Sequence, residues 1–293
     1  MILKQYIKEK ATLIETELPK LLPPSHPSSQ ILFDAMEYSL YAGGKRLRPV
    51  LLMAAADAVG GKGTDYLHVA ACLEMIHTYS LIHDDLPAMD DDDYRRGKLT
   101  NHKVYGEAMA ILAGDALLTA AFETALAQPG VAAEVLLRTV REIASAAGAQ
   151  GMVGGQAVDL LAEGKVLDMA TLEFMHQAKT GALFRAAIRA GAILAGACEE
   201  DLARLTTYAI QFGLAFQITD DILDVTGDQE AIGKPVGSDE KNNKATYVTI
   251  YGLEQAKTMA RQAVDKAVAS LEPYGSNAVI LREMAQYLLT RNS

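Results

Sequence analysis

Twice in this chain an apolar helical stretch runs into a cluster of aspartates. The first cluster is Asp84-Asp85-Leu86-Pro87-Ala88-Met89-Asp90 and the second is Asp220-Asp221-Ile222-Leu223-Asp224. Before the second, Leu205, Ala209, Phe212 and Phe216 recur at helical spacing, and the same stripe continues into Asp220 and Asp224. A face buried for most of its length therefore turns to carboxylate at its last turn. Helix carbonyls there already carry partial negative charge. Two carboxylates about 4 Å apart repel by roughly 4 kcal/mol at an effective dielectric near 20. Helices that end this way need positive partners, and hard divalent cations are the natural candidates.

The remaining pattern is helical almost throughout. Helices are expected at about 2–22, 30–43, 49–59, 64–86, 105–127, 131–148, 152–162, 168–176, 179–196, 200–225, 245–251, 253–271 and 276–290, with no convincing period-2 strand run. Short glycine-marked loops join them, which predicts an all-α, single-domain bundle of roughly ten or more helices spanning 1–293. The stretch 105–127, apolar nearly all round, belongs in the middle of the bundle or at a subunit interface.

A net charge of −10 argues against general nucleic-acid binding. Cys72 and Cys198 read as reduced core thiols, because both fall in apolar helical stretches. Residues 1–10 lack the apolar core of a signal peptide. No uncharged apolar run approaches the ~18 residues of a membrane span. These features predict a cytoplasmic protein.

Pro87 disfavours helical geometry at Leu86, so the first acidic helix should stop there and the spacer should bring Asp90 back towards Asp84 and Asp85. His77 and Ser80 share the face of Asp84. Asp91–Asp93 read as a solvated patch. An EF-hand loop would need a central glycine that Asp90–Asp93 lack, and no zinc spacing occurs. Magnesium fits better, since it takes one or two carboxylates per ion and is completed by substrate phosphates. Cations for phosphate stand nearby. Gly43-Gly44-Lys45-Arg46-Leu47-Arg48-Pro49 places three on a glycine loop at a helix start, Arg95 and Arg96 follow the first acidic cluster, Lys179-Thr180 opens another helix, and Lys234 and Lys244 follow the second cluster.

Taken in order, Gly43–Pro49, Glu74–Asp85, Asp90–Gly97, Gly154-Gly155-Gln156, Lys179-Thr180-Gly181 and Gln217–Asp224 resemble the trans-prenyltransferases, or polyprenyl diphosphate synthases, along essentially the whole chain. The likeness is strongest to the bacterial farnesyl diphosphate synthases. It implies the isoprenoid synthase fold, with helices around a central apolar cavity that shields a carbocation. It also implies magnesium, three ions with manganese as a substitute, held by Asp84, Asp90 and Asp220, while Asp85, Asp221 and Asp224 act as ligands or outer partners. The allylic diphosphate, dimethylallyl or geranyl, would meet Arg95, Lys179, Thr180, Gln217, Lys234 and Lys244; isopentenyl diphosphate would meet Lys45, Arg48, His77 and Arg96. Arg291-Asn292 also looks family-like. A homodimer and no protein nucleophile are implied as well.

Family members limit product length by an aromatic residue five positions before the first aspartate, or by a longer acidic motif. Tyr79, beside Ser80, and the Asp-Asp-x4-Asp form supply both here, which favours farnesyl diphosphate. Geranylgeranyl diphosphate synthase is the nearest alternative. A terpene cyclase would not need Lys45, Arg48 and His77 as a second anion site, a non-catalytic subunit would be expected to lose an acidic cluster, and a magnesium phosphohydrolase would not need isopentenyl diphosphate.

Overall fold

The computed structural model describes residues 2–162, 168–227 and 246–291. The helices are α1 (Ile2–Leu21), α2 (Gln30–Leu40), α3 (Leu47–Ala58), α4 (Leu67–Asp84), α5 (Asn101–Tyr105), α6 (Glu107–Leu126), α7 (Ala133–Ala147), α8 (Met152–Ala162), α9 (Met169–His176), α10 (Ala182–Leu194), α11 (Glu199–Thr226), α12 (Tyr247–Tyr251), α13 (Leu253–Ser270) and α14 (Val279–Leu288). The architecture is all-α, as the periodicity predicts. α4 packs most extensively on α6, α11 on α13, and α10 on α3, α7 and α11. One contiguous cluster of buried apolar side chains extends from Leu3 to Leu288. Fully buried members such as Leu73, Ile76 and Leu117 each contribute about 2 kcal/mol.

Of the described helices α10 and α3 are the most thoroughly embedded, and the two that carry the aspartates pack against them, α4 on α3 and α11 on α10. α4 buries residues on every side, from Val69 to Ile82, and ends at Asp84 with Asp85 as its cap. Pro87 follows directly, and the turn closes when the Asp90 amide donates to the Asp84 carbonyl at 2.9 Å. α11 runs for 28 residues, with Glu199, Glu200 and Asp201 in its first turn, where acidic groups complement the helix dipole.

Three local features depart from the sequence reading. A two-residue hairpin, Tyr94–Arg95 against Lys98–Leu99, follows the acidic turn. Its turn residues Arg96 and Gly97 have φ of 54° and 75°, the left-handed pair that such hairpins use. Strands this short leave no period-2 signature. The helices expected at 168–176 and 179–196 are joined by a π-helical segment, Gln177–Gly181, because Gln177-Ala178 holds no breaker. Cys198 is exposed at the N-cap of α11 and donates to Asp201, since the helix begins one residue later; Cys72 alone is a core thiol.

α6 buries Ala110, Ala113, Gly114, Leu117 and Ala121 against the bundle and exposes Ile111, Leu112 and Leu126. By length and composition it would also suffice to cross a membrane, with 44% of that window buried in the fold. A core helix passes the same test.

Small residues set the closest helix crossings. A Cβ on Gly191 of α10 would lie 2.0 Å from the Leu52 carbonyl oxygen of α3, where only backbone could yield. Gly191→Ala is therefore expected to destabilise the fold by at least about 2 kcal/mol, read as a lower denaturant midpoint with an unchanged slope.

Candidate active site

The C-terminal end of α4, the end of α11, the Gly43–Arg48 loop, the Arg95–Arg96 hairpin and the π segment surround one cleft of about 760 Å³. Asp84 and Asp90 line it from one side and Asp220 and Asp221 from the other, so the two acidic clusters share a single space. Lys45, Arg48, His77, Arg95, Arg96, Lys179, Thr180 and Gln217 line it as well. Leu81, Met175, Phe184 and Phe216 supply apolar wall.

Within each aspartate pair the two residues have different surroundings. The Asp84 carboxyl faces the cleft, and its pKa is pushed up to about 6, first by burial and then by Asp90 and Asp85, against the opposing pull of Lys179 and Arg95. Asp85 is buried and accepts from Arg95 Nε at 2.6 Å. In the second cluster Asp220 is exposed to the cleft, while Asp221 is buried and accepts from Gln217 Nε2 at 2.9 Å and the Tyr247 amide at 2.8 Å. Asp224 is half-buried and is not among the cleft-lining residues. The inner member of each pair is thus tied into the frame, and the outer member presents its oxygens.

The cations are arranged in two sets. Arg46 adopts a left-handed backbone and turns inward, pairing with buried Glu74 at 2.7 Å. That leaves Lys45 and Arg48 for the cleft. Arg48 lies over the Phe184 ring at 4.8 Å; burial lowers its pKa to about 10, so it stays charged at neutral pH. Its Nε is buried without a hydrogen-bond partner among the described residues. His77 beside it is held neutral by burial and by the positive field of Arg48, Arg96, Arg95 and Arg46. The Arg96 guanidinium donates to the Gly43 carbonyl and stacks where a Cβ on Gly44 would stand, 2.7 Å away. Gly44 also has a φ of 128°, a conformation that side chains rarely adopt, so the loop needs that glycine. On the other side, Lys179 donates to Asp159 Oδ2 at 2.6 Å, and Gly155 of α8 allows the approach, since its Cβ would lie 2.2 Å from the Lys179 nitrogen.

Asp159 and Arg291 are the residues that sequence reasoning underused. Asp159 is the one carboxylate on an otherwise apolar stretch of α8, four residues beyond Gly155, and that isolation was its signal. Arg291 lies over Phe216 at 4.3 Å and donates to Asp220 Oδ1 at 3.2 Å, so it is part of the cleft. Tyr79 and Ser80 are not among the cleft-lining residues. Tyr79 is buried with its ring edge-on to His83 at 5.7 Å, and the Ser80 hydroxyl donates to the His77 carbonyl. Lys234, Lys244 and Asn292 lie outside the described residues.

Among the described residues no three His, Cys, Asp or Glu side chains converge into a ready-made metal cage. The donors that face the cleft are carboxylate oxygens, suited to a hard ion that phosphate completes. Burial disfavours the Asp84 charge, so an added cation there would be welcome. The raised pKa also carries a stability cost. The unfolded group ionises near 3.8 and the folded one near 6, so the cost is absent below about pH 4, grows to about pH 6 and persists above. Asp84→Asn should stabilise the protein in EDTA by about 2 kcal/mol at pH 7.5 and hardly at pH 4, measured by denaturant unfolding.

A model of the polyprenyl synthetase family matches residues 29–282. The chain is 46% identical over 291 residues to farnesyl diphosphate synthase of Geobacillus stearothermophilus, covering 99% of this chain and 98% of that one. It is 45% identical over 290 residues to geranylgeranyl diphosphate synthase of Cyanophora paradoxa, covering 98% and 96%. The apo crystal structure of an FPP/GFPP synthase from Zymomonas mobilis superposes with a TM-score of 0.88 at 39% identity, covering 98% of each chain. Synthases named for different product lengths thus stand at near-equal similarity. The fold is that of the isoprenyl synthases, and the chain belongs to the polyprenyl synthetase family of trans-prenyltransferases.

Proposed function

We propose that the chain condenses isopentenyl diphosphate with dimethylallyl and then geranyl diphosphate to make (2E,6E)-farnesyl diphosphate, with magnesium. The observation that carries this reading is one cleft with two opposed aspartate clusters and two separate cation sets. A hydrolase or a cyclase would need only one of those sets.

Asp84, Asp90 and Asp220 would hold the ions, with Asp224 as an outer partner. Magnesium bound there would supply positive charge to the diphosphate leaving group. The chain's own groups do the rest. Asp85 orients Arg95, Asp159 orients Lys179, and Arg291 orients Asp220. Arg95, Lys179, Thr180 and Gln217, joined by Lys234 and Lys244, hold the allylic diphosphate while its C–O bond breaks and the electron pair leaves with the diphosphate. Preorganised donors of this kind give their stabilisation as charge develops. Lys45, Arg48, Arg96 and neutral His77 hold the diphosphate of isopentenyl diphosphate, whose double bond forms the new C–C bond to the allylic cation. Proton loss to the released diphosphate ends the round, and no protein nucleophile takes part. Phe184, Phe216, Leu81 and Met175 keep water from the cation.

The product-length reading rests on the bulk of Tyr79 and on the longer acidic motif. The exposed apolar face of α6 fits pairing with a second copy, and the protein would act in the cytoplasm without a nucleic-acid partner. Incubation with magnesium, dimethylallyl diphosphate and isopentenyl diphosphate, followed by chromatography, should give the fifteen-carbon product. Asp84→Ala and Asp220→Ala should each lower turnover by at least about a hundredfold with helicity kept; full activity in both would remove the metal roles. Tyr79→Ala should shift products towards twenty carbons, and an unchanged product would exclude Tyr79 as the stop.

A further inference from the structure

A second cavity, of about 330 Å³, opens at the surface between α7 and α10 and shares no lining residue with the catalytic cleft. Arg138, Arg141 and Arg185 line it, with Glu142, Ser145 and the small Ala146 and Ala186. Three guanidinium groups thus gather around one hollow in a chain of net charge −10. Self-repulsion among them is tolerable only in solvent or around an anion.

The carboxylate among them is shared with a fourth arginine. Glu142 accepts from Arg189 at both oxygens, from Nε and Nη2 at 2.8 Å each; first that fork, then the charges of Arg189, Arg185 and Arg138, hold its pKa down. Arg189 also donates to Thr206 of α11 at 2.7 Å, which fixes α7, α10 and α11 together beneath the cavity. Arg138 pairs with exposed Glu199 at 2.8 Å, a contact of little strength in solvent. Neither Arg141 nor Arg185 is in an ion pair among the described residues.

We propose that this cavity is a second anion site that takes inorganic diphosphate without a divalent metal. Guanidinium forks match phosphoryl oxygens two at a time, and three of them spread over two helices suit a compact anion that presents several phosphoryl oxygens, as diphosphate does. A metal bridge is not available here, because the Glu142 oxygens are already taken. Among the described residues no aromatic ring lines the cavity to stack a base, which argues against a single-stranded nucleic acid. Arg185 directly follows Phe184, a wall residue of the catalytic cleft, so the two sites use positions about 100° apart around the same helix. Diphosphate is also the anion that the proposed reaction releases, but the site rests on its own lining and is tested by binding alone.

The test is calorimetric titration of inorganic diphosphate into the full chain in EDTA at low salt. Without metal the wild type should show two classes of site, one at Lys45–Arg48 and one here. Arg141→Ala/Arg185→Ala should weaken the second class at least about tenfold, with helicity and prenyl transfer retained. Arg48→Ala should remove the first class and spare the second. Dimethylallyl diphosphate in the same titration separates the sources: weaker binding than inorganic diphosphate at the second class supports the free anion, and tighter binding overturns it in favour of a prenyl-linked head group. A double variant that titrates as wild type, or a wild type whose only class disappears with Arg48→Ala, overturns the site.

Discussion

Charge held only partly compensated at the edge of a low-dielectric interior is the constraint on which the rest of this structure depends. Asp84 keeps a carboxyl where burial resists its ionisation, and Arg48 keeps a guanidinium whose Nε has no partner among the described residues. Neither arrangement favours the fold of the chain by itself. Both are tolerated because the apolar lengths of α4 and α11, with the α3 and α10 crossing, stabilise the bundle well beyond the local loss. The cleft is in this sense a deficit carried by the core.

The deficit is held in place by pairs one layer back. Arg95–Asp85, Lys179–Asp159, Arg46–Glu74 and Arg291–Asp220 each combine a cation with a carboxylate near the cleft. Each fixes the direction of a charged group that would otherwise relax away from its neighbours. This explains why adjacent aspartates differ: Asp85 and Asp221 serve the frame and Asp84 and Asp220 face the cleft, although the sequence writes each pair as two identical letters. Backbone geometry takes part as well, through the left-handed Arg46 and Arg96 and the glycines at 44 and 155 that admit neighbours too close for a side chain.

Much of the fold was legible from hydrophobic periodicity, because long buried helices repeat their pattern over many turns. Twelve-residue and longer helices such as α3, α4, α6 and α11 were placed within a few residues. The Tyr94–Leu99 hairpin was not, since two residues per strand cannot show a period. The π segment was missed because i→i+5 bonding leaves no compositional mark. For the site, residue types with charge in an apolar context, Asp84, Asp220 and Lys179 among them, announced themselves. Asp159 and Arg291 gave weaker signals, an isolated carboxylate and a family-like terminus, since each acts through a partner distant in sequence, 20 and 71 residues away.

The sequence by itself determined that this chain would be helical, that two of its helices would end in carboxylate, and that cations would accompany both ends. Those are local properties, written in spacing and composition. Only the tertiary structure decided that the two ends face one cleft, which aspartate of each pair is presented, and that Arg46 turns inward while the Arg48 Nε is left without a hydrogen-bond partner among the described residues. The reason is physical: whether a charge is compensated depends on distances between helices far apart in the chain, and those distances are set by packing of the apolar faces between them.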